Sequence, residues 1–273
     1  MNAKTIRQAL LLTGTALLSS LVLTTAAQAA AVRQSPIDIN PASVTSAKAP
    51  LPIADHLASD VTLDVLNTYN ASGKVEKEWA TLKANVPAGS SIEVGGVRYS
   101  LLQFHFHTPS EHTVKGSHAP MEVHFVFLRD GAAPCDRSPD ALLVIGARIE
   151  SGAPSAELAK IFDGTTLPVN SASAHLTIPH VNLAKVLGQL SGTWRYSGSL
   201  TAPASFAPAC VEPEGTIDEQ LEAKDLPENV SWIVLSHPIT MSAPQISAFK
   251  AIFPAGNSRE TQPLNGRSVS AFN

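Results

Sequence analysis

Residues 103–124 read QFHFHTPSEHTVKGSHAPMEVH. The run Leu101–His107 alternates, with Gln103, His105 and His107 on one side and Phe104 and Phe106 on the other, which is the period of a β-strand. Met121–Phe127 alternates as well and sets Glu122 and His124 on one face. The polar connection between them, with Pro109, Gly116 and Pro120, is long enough to bring the chain back antiparallel. Two such strands side by side bring His105, His107 and His124 to one point. Three neutral imidazoles facing one point predict a zinc site with a fourth position open. A lone histidine on a strand is usually an ordinary surface or core residue. The third histidine on a second strand is what favours metal. Histidine ligands usually donate their second N–H to an acceptor, and Gln103 and Glu122 are the predicted acceptors for His105 and His124.

Working outward, the first 29 residues read as a secretory signal peptide. Lys4 and Arg7 precede an apolar run, Ala9–Leu23, and Ala27-Gln28-Ala29 is a small-residue cleavage site. The apolar run is short for a membrane span, and no later stretch is long enough for one. Residues 30–273 are expected to form one domain, since no linker or composition break divides them. The leader holds two of the 19 Lys+Arg and none of the 23 Asp+Glu, so the remainder has 17 against 23, a net charge of −6. That balance speaks against nucleic acid as a partner. The protein is expected to be exported, to the periplasm or fully secreted. In an oxidising compartment the pair Cys135 and Cys210 predicts one disulfide, the alternative being two buried thiols.

The expected elements are mostly strands. They include Val61–Leu66, a hairpin over Ser91–Leu102 turning at Gly95-Gly96, the apolar run Leu142–Ile149 with Gly146 inside it, and Ser231–Leu235. Helices are predicted over Ser155–Phe162, Asn182–Leu190 with Gly192 beyond it, and Ala243–Ile252. Val211–Asn229 is strongly acidic and reads as a solvated loop.

Several separated motifs in order resemble the α-class carbonic anhydrases: QSPIDI (34–39), QFHFHTPSEHTV (103–114), MEVHFVF (121–127), LLVIGARIE (142–150), YSGSLTAP (196–203), WIVLSHPI (232–239) and QPLNGR (262–267). The resemblance spans nearly everything after the leader. It implies a mainly β domain with short peripheral helices, around a twisted, mostly antiparallel sheet of about ten strands with a conical zinc cavity. It implies reversible hydration of carbon dioxide to bicarbonate and a proton by attack of zinc-bound hydroxide, with Zn2+ held by His105, His107 and His124. Thr201 and Glu111 match the pair in which the carboxylate accepts from the threonine hydroxyl and the hydroxyl orients the nucleophile. Val126, Val144 and Leu200 match the apolar wall that receives carbon dioxide, and His112 matches a buried structural histidine.

The sequence departs from that family pattern in four places. Only a handful of residues precede QSPIDI after the expected cleavage. The family's usual cysteine there is absent, so Cys210 is free to pair with Cys135. Asn70 stands at the proton-shuttle position and cannot titrate, so turnover is expected to be limited by proton transfer at low buffer. Ala202 replaces a second threonine, and the acidic segment 211–229 is an insertion soon after it. Two other readings compete. One is a non-catalytic zinc-binding protein of carbonic anhydrase type. The other is a cupin-type metal oxygenase, because His105-x-His107-x-x-x-Glu111 has the spacing of a cupin metal motif that would make Glu111 a ligand.

Overall fold

The computed structural model describes residues 32–47, 51–68, 80–133, 136–162, 175–202 and 226–272. In chain order its strands are β1 (Asp38–Ile39), β2 (Thr45–Ser46), β3 (Ile53–His56), β4 (Val61–Asn67), β5 (Leu82–Asn85), β6 (Ser91–Val94), β7 (Val97–His107), β8 (Thr113–Val114), β9 (Ser117–His118), β10 (Met121–Arg129), β11 (Leu142–Ser151), β12 (His175–Val181), β13 (Thr193–Gly198), β14 (Val230–Leu235), β15 (Ile239–Met241) and β16 (Ser270–Phe272). The helices among the described residues are Ala156–Phe162, Leu183–Leu187 and Ala243–Ile252.

One large sheet dominates. Its path of ten strands runs β12-β4-β5-β7-β10-β11-β14-β13-β16-β2, with β6 on β7, β3 on β6 and β15 on β11. Neighbours are antiparallel except where β11 meets β14 and β15 and where β16 meets β2. The sheet is therefore mixed, and more extensive than the sequence motifs imply. A small second sheet, β1-β8-β9, holds the end of the QSPIDI motif, Asp38–Ile39.

The turn between β6 and β7 shows how local chemistry sets register. Gly95 and Gly96 both have positive φ, +58° and +82°, the backbone that a two-residue hairpin turn of matching twist requires. β7 then departs from strict alternation. Leu101 and Phe104 are both buried although three residues apart, because β7 has an extra residue, Leu102, where Val126 pairs with Gln103 and Phe127 with Leu101. This bulge shifts the phase, so that Tyr99, Leu101, Phe104 and Phe106 all face one core.

That core lies between the sheet and the helices. Phe106 packs edge-on against Phe162 at a 4.8 Å centroid distance, and Phe162 against Phe249 at 5.9 Å, which joins β7 to two helices. Each fully buried Phe contributes roughly 1.5–3 kcal/mol. The helix Ala243–Ile252 starts with a capping box in which Ser242 and Gln245 satisfy each other's backbone N–H. The helix expected to reach Leu190 stops earlier, at Leu187, because Gly188 takes a positive φ of +79° and returns its N–H to Ala184 O. A second apolar cluster, with Val126, Val144 and Trp232, occupies the opposite face of β10, β11 and β14.

The described end of the acidic run is not a solvated loop. Leu226 is buried, and the Gln34 side chain bonds both its N–H and its C=O. Glu228 pairs with Arg33 at 3.2 Å.

Candidate metal centre

The β7–β10 register sets His124 directly opposite His105 and Glu122 opposite His107. Opposed residues in an antiparallel pair project to the same face, so the three imidazoles meet. Their centroids are 4.7–5.4 Å apart, and one ligand atom from each lies within 4.8 Å of the others. His105 is half-buried, while His107 and His124 are buried.

Hydrogen bonds select the nitrogen that each ring presents. His105 donates Nδ1–H to Gln103 Oε1 at 2.9 Å. His107 donates Nδ1–H to the Asn257 carbonyl, also at 2.9 Å. Both rings therefore turn Nε2 to the common point, and His107 Nε2 is buried with no partner in the protein. For His124 the arrangement is reversed. Its Nε2 is 3.1 Å from Glu122 Oε1, though not in hydrogen-bond alignment, and its Nδ1 is 3.7 Å from Glu111 Oε2; the closer carboxylate favours a proton on Nε2, which gives Nδ1 to the common point.

Burial, reinforced by His107 and His124 alongside, holds His105 well below the ordinary imidazole range. Burial also lowers His107. For His124 burial is outweighed by the Glu122 and Glu111 carboxylates, and its pKa is raised. Neutral His105 and His107 are in the state that binds metal. An orphaned, buried ring nitrogen beside two others within a common radius fits a zinc ion with three histidine ligands.

Glu122 is held from several sides. Oε2 accepts from His112 N at 2.8 Å, and Oε1 from His112 Nδ1 at 2.8 Å. Burial alone would raise its pKa, but His112 and His124 beside it keep the carboxylate well below its usual range. His112 Nε2 lies 2.7 Å from Tyr196 Oη, which lies 3.0 Å from Ser35 Oγ. Both His112 nitrogens are thus engaged away from the open point.

Glu111 is buried. Its Oε1 accepts from Arg259 N at 2.9 Å, and its Oε2 has no hydrogen-bond partner. The bond from Thr201 to Glu111 that the resemblance implies is therefore not closed in this structure. Glu111 does not join the three histidines in a common ligand set, as a cupin site would need. Thr201 is buried, and Leu200 before it packs on the apolar cluster that holds Val126 and Val144. Val126, on β10 two residues beyond His124 and on the same face, is the register partner of Val144 on β11. Asn70, Cys135 and Cys210 lie outside the described residues.

Two contributors were not read from the sequence as part of the site. Asn257 is fully buried. Besides accepting from His107, its side chain accepts from Thr108 N and donates to Ala80 O and Phe106 O. Gly146 lies opposite His124. A glycine inside an apolar strand is the sequence signal of a close approach.

A family model described as eukaryotic-type carbonic anhydrase matches residues 23–208. A carbonic anhydrase of Pectobacterium carotovorum is 32% identical over 189 residues, which are 69% of this chain and 65% of that protein. The match therefore spans less than two thirds of that relative's length. A carbonic anhydrase of Nostoc sp. is 31% identical over 87% of this chain and 75% of its own. Among solved structures, the α-carbonic anhydrase from Thermovibrio ammonificans in complex with the inhibitor sulfanilamide is 32% identical, with a TM-score of 0.66 over 87% of this chain and 86% of that one. The Photobacterium profundum α-carbonic anhydrase is 28% identical, with a TM-score of 0.65 over 89% and 90%.

Proposed function

The chain belongs to the eukaryotic-type, or α-class, carbonic anhydrase family, and on that premise we propose that it is a carbonic anhydrase, a lyase that reversibly hydrates carbon dioxide to bicarbonate and a proton. The observation that carries this reading is the three-histidine point with its orphaned His107 Nε2, beside the Val126–Val144 pair that begins two residues along β10 from His124. His105 and His107 through Nε2, and His124 through Nδ1, would hold Zn2+. Zinc, when bound, lowers the pKa of a water at its open position to about 7.

The chain's own residues do the rest. Carbon dioxide carries no charge, so Val126, Val144 and Leu200 offer it an apolar wall instead of a charged clamp. Thr201, donating its hydroxyl proton to Glu111 Oε2, can only accept from the attacking oxygen. That direction turns the oxygen's lone pair toward the carbon, an orientation effect. Gln103 and Asn257 hold His105 and His107 in the tautomers that free Nε2, and the Glu122 carboxylate beside His124 Nε2 favours a proton at that nitrogen.

The leader supports export, with the periplasm as the destination we favour. No described helix is long and apolar enough to cross a membrane. Stopped-flow hydration of carbon dioxide with elemental analysis on the same sample tests the activity. One zinc per chain with turnover that sulfanilamide inhibits is expected. One zinc without turnover would make this a non-catalytic zinc-binding relative, and another metal would revive an oxygenase reading.

A further inference from the structure

We propose that His175, held by Asp64, takes the reaction's proton from the metal centre to solvent; the inference rests on the hydration reading above. Each hydration leaves a proton that must depart before the next cycle, and water alone is a poor acceptor for it. An imidazole on the site's own face of the sheet would accept it.

Register places His175 on that face. His175 pairs with Leu66, Leu66 with Lys83, and Lys83 with His105. Opposed residues share a face, so His175 projects to the same side as the metal triad, three strands along. A parallel polar row runs beside it. His105 bonds Gln103, Gln103 is paired with Asn85, Asn85 Nδ2 donates to Asp64 Oδ2 at 3.1 Å, and Asp64 Oδ1 accepts from His175 Nδ1 at 2.8 Å. Gln103, Asn85, Lys83 and Asp64 are half-buried and His175 is exposed, so the row leads from the site to solvent.

The other non-ligand histidines lie off this row. His112 has both nitrogens engaged. His118, on β9 of the small sheet, bonds Ser110 O. His56 sits on β3, His180 bonds Asp60 at the far end of β12, and His237 follows β14.

With Nδ1 donating to Asp64, His175 presents Nε2 as the acceptor. His175 Nε2 would accept the proton that hydration releases, relayed along water over the polar face. The imidazolium then gives one proton to a buffer base and returns to its starting form. Asp64 is the anion that faces it, and Lys83 is the cation between it and the site. Glu157 and Lys160, on the helix packed against β12, are engaged at the strand's other end with Asn182 N and His180 O. Three strand spacings are about 14 Å, which calls for a chain of several waters and makes this a slow relay. Turnover that still rises with added buffer is consistent with such a relay.

The test uses the zinc-loaded protein in dilute buffer that transfers protons poorly. His175→Ala should lower kcat about tenfold, short of the ~10²-fold that a close general base gives. It should leave kcat/KM unchanged, and added imidazole should restore kcat. Asp64→Asn, which removes a positioning residue, should lower kcat in the same way but by less. In oxygen-18 exchange at equilibrium, His175→Ala should slow release of labelled water while the interconversion of carbon dioxide and bicarbonate keeps its rate. Unchanged low-buffer kcat in His175→Ala, or a loss shared by kcat/KM and not rescued by imidazole, overturns the assignment. Absence of any hydration by the zinc-loaded wild type instead overturns the proposed function.

Discussion

Gly146 lies directly against Glu122: a methyl group on its Cα would stand 2.7 Å from Glu122 Oε1 and 3.6 Å from His124 Cδ2. Glu122 cannot swing away, because His112 holds both of its oxygens. Gly146→Ala should therefore displace Glu122 and tilt His124. Zinc affinity should fall about 10–100-fold, the usual loss when an outer partner is disturbed. Competition with a chromophoric chelator measures it, and wild-type affinity in the variant would show that the carboxylate has room to move.

Asn257 couples a distant segment to the ligand strand. Its carbonyl fixes His107, and its side chain ties Thr108, Ala80 and Phe106 together at full burial. Asn257→Ala strands the buried Thr108 N–H and takes the amide donor from the Ala80 carbonyl, each at roughly 1–3 kcal/mol, while the Phe106 carbonyl keeps the Thr81 hydroxyl. A stability loss of about 2 kcal/mol or more is expected in urea unfolding, with zinc retained, since the backbone carbonyl on His107 survives the change. A loss below 1 kcal/mol would mean that water replaces the amide.

The residues above also show where the sequence was legible. The histidine strands, the Gly95-Gly96 turn and the helix Ala243–Ile252 are local patterns of period two, paired glycines and a capping box, so they can be read in a short window. Asn257 and His107 are 150 positions apart, and no local pattern joins them. The bulge at Leu102 depends on the partner strand. β12 is not legible in a short window, because Pro179 breaks the run after four alternating residues and a proline inside a run argues against a strand. His175 therefore takes its place only from the pairing of β12 with β4. The parallel pairings of β11 depend on long connections that only the folded chain defines.

Metal should stabilise the folded chain, because the three-nitrogen point is assembled only by β7 pairing with β10. At zinc 1,000-fold above Kd, the gain is about 4 kcal/mol. For a domain of this size that raises Tm by about 8–16 °C. Scanning calorimetry of stripped and reloaded protein checks it, and His107→Ala should abolish the shift. An equal shift in that variant would place the metal elsewhere.

We expect Cys135 and Cys210 to form a disulfide when the protein is produced in an oxidising compartment. It would close a loop of about 75 residues and stabilise by roughly 4 kcal/mol in the chain-entropy model. Thiol titration of the denatured, unreduced protein should find no free thiol, and two would refute the bridge.

The last prediction separates orientation from metal binding. Glu111 Oε2 is buried and without a partner, and Thr201 supplies a hydroxyl in the segment that matches the orienting position. If Thr201 donates to Glu111, it must accept from the nucleophile, and its loss leaves the nucleophile free to rotate. Thr201→Ala should then lower kcat/KM for carbon dioxide about 10²-fold, the scale of a misplaced reacting group, with one zinc still bound. Thr201→Ser keeps the hydroxyl and should recover most of the rate. Glu111→Gln keeps the shape but can offer Thr201 an N–H in place of a second acceptor oxygen, so it should lower the rate with zinc retained. Combined with Thr201→Ala it should cost little beyond the single change, because the two residues act through one hydrogen bond. Full activity in Thr201→Ala would remove the pair from the mechanism, and additive losses in the double variant would separate their roles.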